Sequence, residues 1–445
     1  MSTINVKTKG TCPRTHEGAI ASHITSEQEL KRSVLSCLLW EGTFYESGQE
    51  IAERIKDLVA RCSNDFVQKL AIEAREDFKL RHVPLLMVRE LMRQNHPDNA
   101  KTLERVIQRP DELGEFLAIY WKDGKCPLAG AVKKGLAGAF RKFDAYGLAK
   151  YNRNTDIKLK DVLFLCHAKP KDDEQAETWK KLIDGNLEAP DTWEVALSAG
   201  KGESKKETWE RLLKERKLGA LALLRNLRNM EEANVDIELV REKLDDMHTG
   251  RVLPFRFIAA ARHAPRLEPE IEKSFIQCLA DKSKLAGETI VLVDVSGSME
   301  DYLSSKSDMK AMDAGAGMAM CAAELCERYR VWTFSEHHIE VAPRHGFALR
   351  DGVVNSQRHW STFLGKAVKT INELPHDRLI VITDEQSHDR VPDPVSEKAY
   401  MINVASNKNG VGYGKWIHLD GFSESVFKWI IEYEKEFQTM ADGEK

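Results

Sequence analysis

From residue 16 to about residue 285, apolar positions recur at helical spacing in one short segment after another. In "TSEQELKRSVLSCLLW", Leu30, Val34 and Leu38 stand at i, i+4 and i+8, one face of a helix. Ser26 and Glu29 ahead of them have the spacing of a capping box. The same period runs through "NDFVQKLAIEAREDF", "VPLLMVRELMRQ", "DELGEFLAIYW", "ETWKKLIDG", "DTWEVALSAG", "KETWERLLKERKLGALALLRNLRNM" and "DIELVREKLDD". Pro84, Pro110, Pro127, Pro170 and Pro190 fall between such segments, where helix breaks belong. Strand-like alternation is nearly absent. Many short antiparallel helices in series predict a solenoid of HEAT-like helical pairs, although no fixed repeat period can be extracted.

From about residue 286 the pattern changes. "ETIVLVDVS", "YRVWTFS", "IEVAP", "DRLIVITDE", "KAYMINVAS" and "KWIHLDGF" are short apolar runs rich in β-branched or aromatic residues. Between and after them lie the helical stretches "DMKAMDAGAGMAMCAAELCERY", "STFLGKAVKTINEL" and "SESVFKWIIEYEKEF". Continuous apolar strands alternating with helices predict a parallel sheet covered on both faces, a doubly wound α/β domain. The chain therefore divides into a helical domain over 16–285 and an α/β domain over 286–445. Its 445 residues are enough for two or three domains at ~100–200 residues each.

Composition narrows the class. A formal net charge of −4 gives no global attraction for nucleic acid, so any such role has to be local. The eight cysteines form no CxxC pair, which favours reduced, buried thiols over a zinc or disulfide framework. No run of ~18 apolar residues and no signal-peptide pattern is present, so the expected location is cytoplasmic, with no membrane partner.

The chemistry concentrates at strand ends. In doubly wound domains ligands sit outside the carboxyl ends of the strands. "VLVDVSGSME" runs four apolar residues into Asp294, followed by Ser296 and Ser298. Asp384 closes a second apolar strand, and Thr362 precedes the "FLGKAV" helix. All five residues offer oxygen, the ligand atom Mg²⁺ prefers. A phosphatase-type aspartate nucleophile would want a second acid where Ser296 stands. A nucleophile-elbow serine needs GxSxG, and here Asp-Val precedes Ser296. A plain strand-to-helix turn capped by Ser298 is the structural alternative.

"DVSGSM", "STFLGKA" and "VITDE" together resemble the metal-ion-dependent adhesion site of a von Willebrand factor A domain. The resemblance implies that Asp294, Ser296, Ser298, Thr362 and Asp384 surround a divalent cation, most simply Mg²⁺. Ser361 stands where a glycine often precedes the threonine. Upstream, "HAKPKDDEQAETWKKLIDG", "ALLRNLRNM", "VREKLDD" and "VLPFRFIAAARHA" are similar to the TROVE module of the Ro ribonucleoprotein autoantigen family. That resemblance covers nearly the whole chain after residue 16. It implies a monomeric ring of helical repeats closed by the A domain. It also implies binding of small noncoding Y RNAs outside the ring and of single-stranded ends of misfolded RNA in its hole. Polynucleotide phosphorylase is the partner implied for bacterial relatives.

Local charge agrees with an RNA partner. Residues 122–160 hold ten lysines and arginines against three aspartates and no glutamate. Phosphate contacts dominate nucleic-acid affinity, so such a segment is what an RNA surface needs. Lys133, Lys134, Arg141 and Lys142 have helical spacing and are expected to share a face. Lys150, Arg153, His167 and Lys169 lie in the stretch resembling the family's RNA-contacting region, with His167 able to stack on or bond a base. The expected function is noncoding-RNA binding in ribonucleoprotein assembly and RNA quality control, without catalysis. The competing class is a metal-dependent protein-interaction adaptor that binds no RNA. A metal-dependent phosphatase or nuclease is a third class, for which neither a second-metal carboxylate cluster nor a general base is visible.

Overall fold

The computed structural model describes residues 12–443, apart from 95, 97, 189–191, 199–203, 249–251, 253, 281, 304, 306–307 and 424; of 436–443 it describes the backbone alone. Among the described residues, sixteen α-helices precede the first strand. They are α1 (Ser26–Leu35), α2 (Gly48–Arg61), α3 (Asn64–Glu76), α4 (His82–Met92), α5 (Asn99–Val106), α6 (Asp111–Tyr120), α7 (Gly130–Phe140) and α8 (Ala145–Tyr151). Then follow α9 (Leu159–Cys166), α10 (Asp173–Asp184), α11 (Trp193–Ser198), α12 (Lys205–Lys214), α13 (Ala220–Glu232), α14 (Ile237–Asp245), α15 (Pro254–His263) and α16 (Glu268–Ala280). The change to strands falls between Ala280 and Leu285.

Local chemistry accounts for several boundaries and corrects several expectations. The capping box of α1 is Thr25 with Gln28, one residue ahead of Ser26 and Glu29: Thr25 Oγ1 accepts from Gln28 N at 3.2 Å and Gln28 Oε1 from Thr25 N at 2.9 Å. Ser26 instead accepts a bond from Arg61 of α2. Two overlapping S/T-x-x-E/Q phases are present in the sequence, and local spacing cannot choose between them. Pro84 lies inside α4, not before it, in the first turn, where its missing N–H has no helical partner to lose. Pro190 lies outside the described residues. The run "KETWERLLKERKLGALALLRNLRNM" is two helices, α12 and α13, because Arg216 takes a left-handed φ of 54° and Gly219 starts a new N-terminus. Gly135 lets α7 lie against α5, since a Cβ there would sit 2.8 Å from the Ala100 carbonyl.

Helices α1–α10 share one core that includes Leu86, Phe116, Phe140 and Trp179. Helices α12–α16 bury theirs against the α/β domain, with Phe257 and Phe275 in one cluster with Val291, Val293 and Met318. The sheet comprises β1 (Leu285–Asp294), β2 (Cys326–Phe334), β3 (His338–Val341), β4 (Arg378–Thr383), β5 (Lys398–Asn403) and β6 (Ile417–Asp420). Their spatial order is β3-β2-β1-β4-β5-β6. All neighbours are parallel except β2 and β3, so the sheet is mixed where an all-parallel one was expected. The connection from Phe334 to His338 is too short for a parallel crossover and allows only a hairpin. Helix α17 (Ala311–Leu325), rich in small residues, packs on one face. After α18 (Gly346–Val354), helix α19 (Leu364–Ile371) covers the other face through Leu364, Val368 and Ile371. Helix α20 (Ser425–Gly443) closes the first face with Phe427 and Ile430.

Both ends of the helical series dock on this α/β domain: α1 touches β6, and α15 and α16 pack on α17. The chain thus forms a circuit whose closing joint is polar and buried. Arg32 of α1 is fully buried and donates through Nη1 to Glu385 Oε2 at 2.8 Å, through Nε to the Asn407 carbonyl at 2.6 Å and through Nη2 to the Asn409 carbonyl at 2.8 Å. His418 of β6 lies 2.8 Å from the other Glu385 oxygen. Burial opposes the charge on Glu385, yet Arg32 and then His418 bring its carboxyl down to about 2. All eight cysteines are free thiols, but Cys12 and Cys126 are exposed and not buried as expected. Among the described residues no helix is long and apolar enough to cross a membrane.

Candidate functional site

The strand order reverses direction between β1 and β4, and the acidic strand ends meet at that switch point. Val293 pairs with Ile382, so Asp294 and Thr383 emerge side by side. Asp294 is fully buried. Its Oδ1 accepts from Ser296 N at 2.9 Å and its Oδ2 from Thr383 Oγ1 at 2.6 Å. After Ser296 the chain makes a 3₁₀ turn over Gly297–Glu300, which brings Ser298 Oγ to 3.2 Å from Ser296 Oγ. Ser298 lies close enough to Asp384, itself buried, to favour the charged form of its carboxyl. Thr362 reaches the cluster through its loop: Gly297 N donates to the Trp360 carbonyl at 2.8 Å. Thr362 N donates to His388 Nδ1 at 3.1 Å. The structure therefore brings Asp294, Ser296, Ser298 and Asp384 together, with Thr362 beside them.

Burial, then the charge of Asp384, pushes the Asp294 carboxyl up to about 7, and burial also raises that of Asp384. Two facing buried carboxylates with hydroxyls between them form an all-oxygen set that lacks a counter-charge. That set fits a hard divalent cation of the Mg²⁺ type, with two carboxylates supplying charge and the hydroxyls supplying neutral ligands. No group of three or more His, Cys, Asp or Glu side chains suited to a metal occurs among the described residues, so this mixed set is the one to weigh.

The second candidate is the basic segment. Lys134, Arg141, Arg153, His167 and Lys169 are exposed, and Lys133 and Lys150 are half-buried. Among the described residues, the ion pairs on this side of the chain stop at Asp123 and resume at Lys171, so the lysines and arginines between residues 125 and 169 are unpaired. Lysines elsewhere in the helices more often have an acid, as Lys31 has Glu73 and Lys56 has Glu53. Arg141 Nε donates to the Lys169 carbonyl at 3.0 Å, which ties the end of α7 to the loop after α9. His167 caps α9 in a left-handed conformation with φ 53°.

Lys142 is exposed like Lys134 and Arg141, but its ammonium is committed within the chain. Its ammonium turns back onto the carbonyls of Glu104 and Ile107 at the end of α5, and burial lowers its pKa. Arg141 and Lys142 follow the last residue of α7, where helical spacing no longer sets direction.

Sequence reasoning missed the aromatic members of this surface. Tyr146 and Phe164 are 54% and 59% exposed, unusual for large apolar rings and placed among the unpaired cations. The Tyr151 ring carries Arg109, Lys150 and Arg153 at 4.8, 5.7 and 5.9 Å from its centroid. Interleaving of aromatic and basic residues was the available signal. Also missed was Arg256 in α15, whose guanidinium pKa is lowered by burial and then by the neighbouring charge of Arg225 in α13.

Comparison with known proteins agrees with this architecture. The TROVE domain family model matches residues 184–336, a span that crosses from the helices into the first two strands. No curated protein matches the chain in sequence. The crystal structure of the Deinococcus radiodurans RO (RSR) protein superposes with a TM-score of 0.60 at 17% identity, over 91% of this chain and 99% of that one. A chain of helical pairs docked at both ends on a mixed six-stranded α/β domain thus has the fold of the Deinococcus radiodurans RO (RSR) protein and matches the TROVE domain family model over residues 184–336, across the junction of its two parts.

Proposed function

We propose that the protein binds noncoding RNA through the surface built by α7, α8, α9 and the loop after α9. The observation that carries this reading is the unneutralised row of lysines and arginines from residue 125 to 169, interleaved with exposed Tyr146 and Phe164. Phosphates would supply the missing counter-charge, and exposed rings are platforms for unpaired bases. The TROVE match and the likeness to a protein named RO support the same reading. The finer reading is capture of small, structured Y-like RNAs and of single-stranded ends of misfolded RNA in ribonucleoprotein assembly and RNA quality control. Polynucleotide phosphorylase in the cytoplasm is the proposed protein partner, and no catalytic step is assigned.

The cluster at the strand ends belongs to the same reading as a divalent-cation site of the von Willebrand factor A type. Asp294 and Asp384 would supply charge, with Ser296, Ser298 and Thr362 as neutral ligands.

The experiment is a filter-binding titration with a small structured RNA and a 3′-tailed duplex at several salt concentrations. Reversing Lys133, Lys134, Arg141 and Lys169 to glutamate is expected to weaken binding at least tenfold and to flatten the salt slope by about one unit for each phosphate that loses its cation. Binding that is absent, or that ignores both salt and these charges, would sink the reading and favour a protein adaptor acting through the cation site.

A further inference from the structure

The face of the α/β domain that a partner's acid would approach is covered by this chain's own N-terminal segment. Thr15 Oγ1 donates to the Ser387 carbonyl at 2.8 Å, and His16 N donates to Gln386 Oε1 at 2.9 Å, three and two residues past Asp384. These bonds, with the turn at Thr15–Gly18, hold Glu17 over the strand ends. One Glu17 oxygen accepts from the Tyr45 hydroxyl at 2.6 Å, and the other lies 2.6 Å from His388 Nε2.

Both partners of Glu17 are themselves close to the cation-site residues. The Tyr45 hydroxyl is also near enough to Ser298 and Asp384 to feel both side chains. His388 accepts from Thr362 N through its other ring nitrogen and donates its own backbone N–H to the Thr362 carbonyl at 2.8 Å. His16 stacks on Tyr45 at 4.7 Å between ring centroids, which fixes the phenol in place. A carboxylate bracketed in this way stands one residue from Ser298 on one side and one from Thr362 on the other. Its charge has no lysine or arginine to meet among the described residues, only the imidazole of His388.

We propose that Glu17 is the carboxylate that completes the divalent-cation site from within the chain, so that the cation staples the N-terminal segment to the α/β domain. The inference rests on the reading of Asp294, Ser296, Ser298, Thr362 and Asp384 as a cation site. It changes what that site does. Two carboxylates leave a divalent ion with open positions, and a third acid from outside is how an adhesion face binds its partner. Here the third acid is built in. A partner's acidic side chain has to displace Glu17, and the ion's first effect is on closure of the helical circuit.

The test uses the full chain, Mg²⁺ alone as the probe, and two readouts: calorimetric titration and amide exchange over residues 13–21. For the wild type, Mg²⁺ is expected to slow exchange at the Gly18, Ala19 and Ala21 amides, which are bonded to Thr15 and Pro13. Glu17→Gln is expected to weaken Mg²⁺ binding about tenfold or more and to abolish that protection. In Glu17→Ala, added acetate is expected to recover part of the affinity while leaving the wild type unmoved, a rescue that a merely structural role would not show.

Asp294→Ala separates the two readings. If it abolishes Mg²⁺ binding while Glu17→Gln binds as the wild type does, the role of Glu17 is overturned and the cation site stands. If the wild type binds no Mg²⁺, both are overturned. The exchange measurement on the wild type needs no variant: unchanged protection on adding saturating Mg²⁺ refutes the staple even if every Glu17 variant fails to fold.

Discussion

Replacing Arg32 by methionine tests whether the polar joint between α1 and the α/β domain holds the circuit together. The side chain is fully buried, and its three nitrogens donate to Glu385, Asn407 and Asn409. Methionine fills much of the volume but removes every donor. Glu385 is then left buried with only His418 and a long bond from Gly412 N at 3.3 Å. Removing one partner of a buried ion pair costs ~3–5 kcal/mol, mostly through the charge left behind. The carboxyl gives a second route to the magnitude. A fall from 4.5 to about 2 corresponds to ~3 kcal/mol at ~1.36 kcal/mol per pKa unit. That figure is the joint effect of Arg32 and His418 net of burial, with Arg32 the larger, so Arg32→Met is expected to lose about 3 kcal/mol or more in urea unfolding followed by tryptophan fluorescence. Arg32→Met/Glu385→Gln removes the orphaned charge and is expected to recover at least half of that loss. The pH dependence follows from the depressed carboxyl. Its contribution is complete above about 4.5 and is lost as pH falls through about 2, so the wild type loses stability in that window and Arg32→Met loses less. A single mutant within ~1 kcal/mol of the wild type, or a double mutant no better than the single, would refute the reasoning.

Three further outcomes follow from the site geometry. Lys142→Ala should lower stability by ~1 kcal/mol, because its ammonium serves the terminal carbonyls of α5, while leaving RNA affinity within about twofold in the same filter assay. Mg²⁺ at ~100 times its Kd should stabilise the wild type by ~2.7 kcal/mol in a thermal melt and leave Asp294→Ala unmoved. That stabilisation should shrink as pH drops below about 7, where a proton on Asp294 competes with the ion. Arg256→Gln should leave the melting temperature unchanged or raise it, because a desolvated guanidinium beside Arg225 is costly until an anion arrives; a drop of several degrees would show that the charge is structural.

The division of the chain was legible because helix and strand periods differ, and the buried strand β4 runs apolar without a break from Leu379 to Ile382. The convergence of acidic and hydroxyl side chains at the strand ends was legible for a related reason. Asp294, Ser296 and Ser298 lie within one turn, and the fold class dictates that strand ends such as Asp384 converge. What could not be read was direction after a helix ends. Lys133 and Lys134 lie within α7, whereas Lys142 follows its last residue and swings back to α5. The hairpin of β2 and β3 was missed because an apolar strand does not declare the sense of its neighbour; only the three-residue connection does.

The contacts that surround the cluster at the strand ends were out of reach for a deeper reason. Glu17 and His388 meet across 371 positions of sequence, and Thr15 and Ser387 across 372. No local period or motif encodes such a pairing. It exists only because α1 and the segment before it return to the domain that the last third of the chain builds. The same return places Arg32 against Glu385, the residue after Asp384. Two charged side chains from the first forty residues therefore converge on the loop after one strand: Arg32 neutralises the buried Glu385, and Glu17 meets His388. A circuit closed through a single loop couples whatever happens at that loop to the position of α1 and of the helices that follow it. Ion loss at Asp294 should loosen the N-terminal segment first and the basic face of α7 last, because α1–α10 share a core that does not depend on the sheet. RNA affinity that survives EDTA while amides 13–21 lose their protection would establish that order; RNA affinity and protection vanishing together would show the two halves to be one cooperative unit.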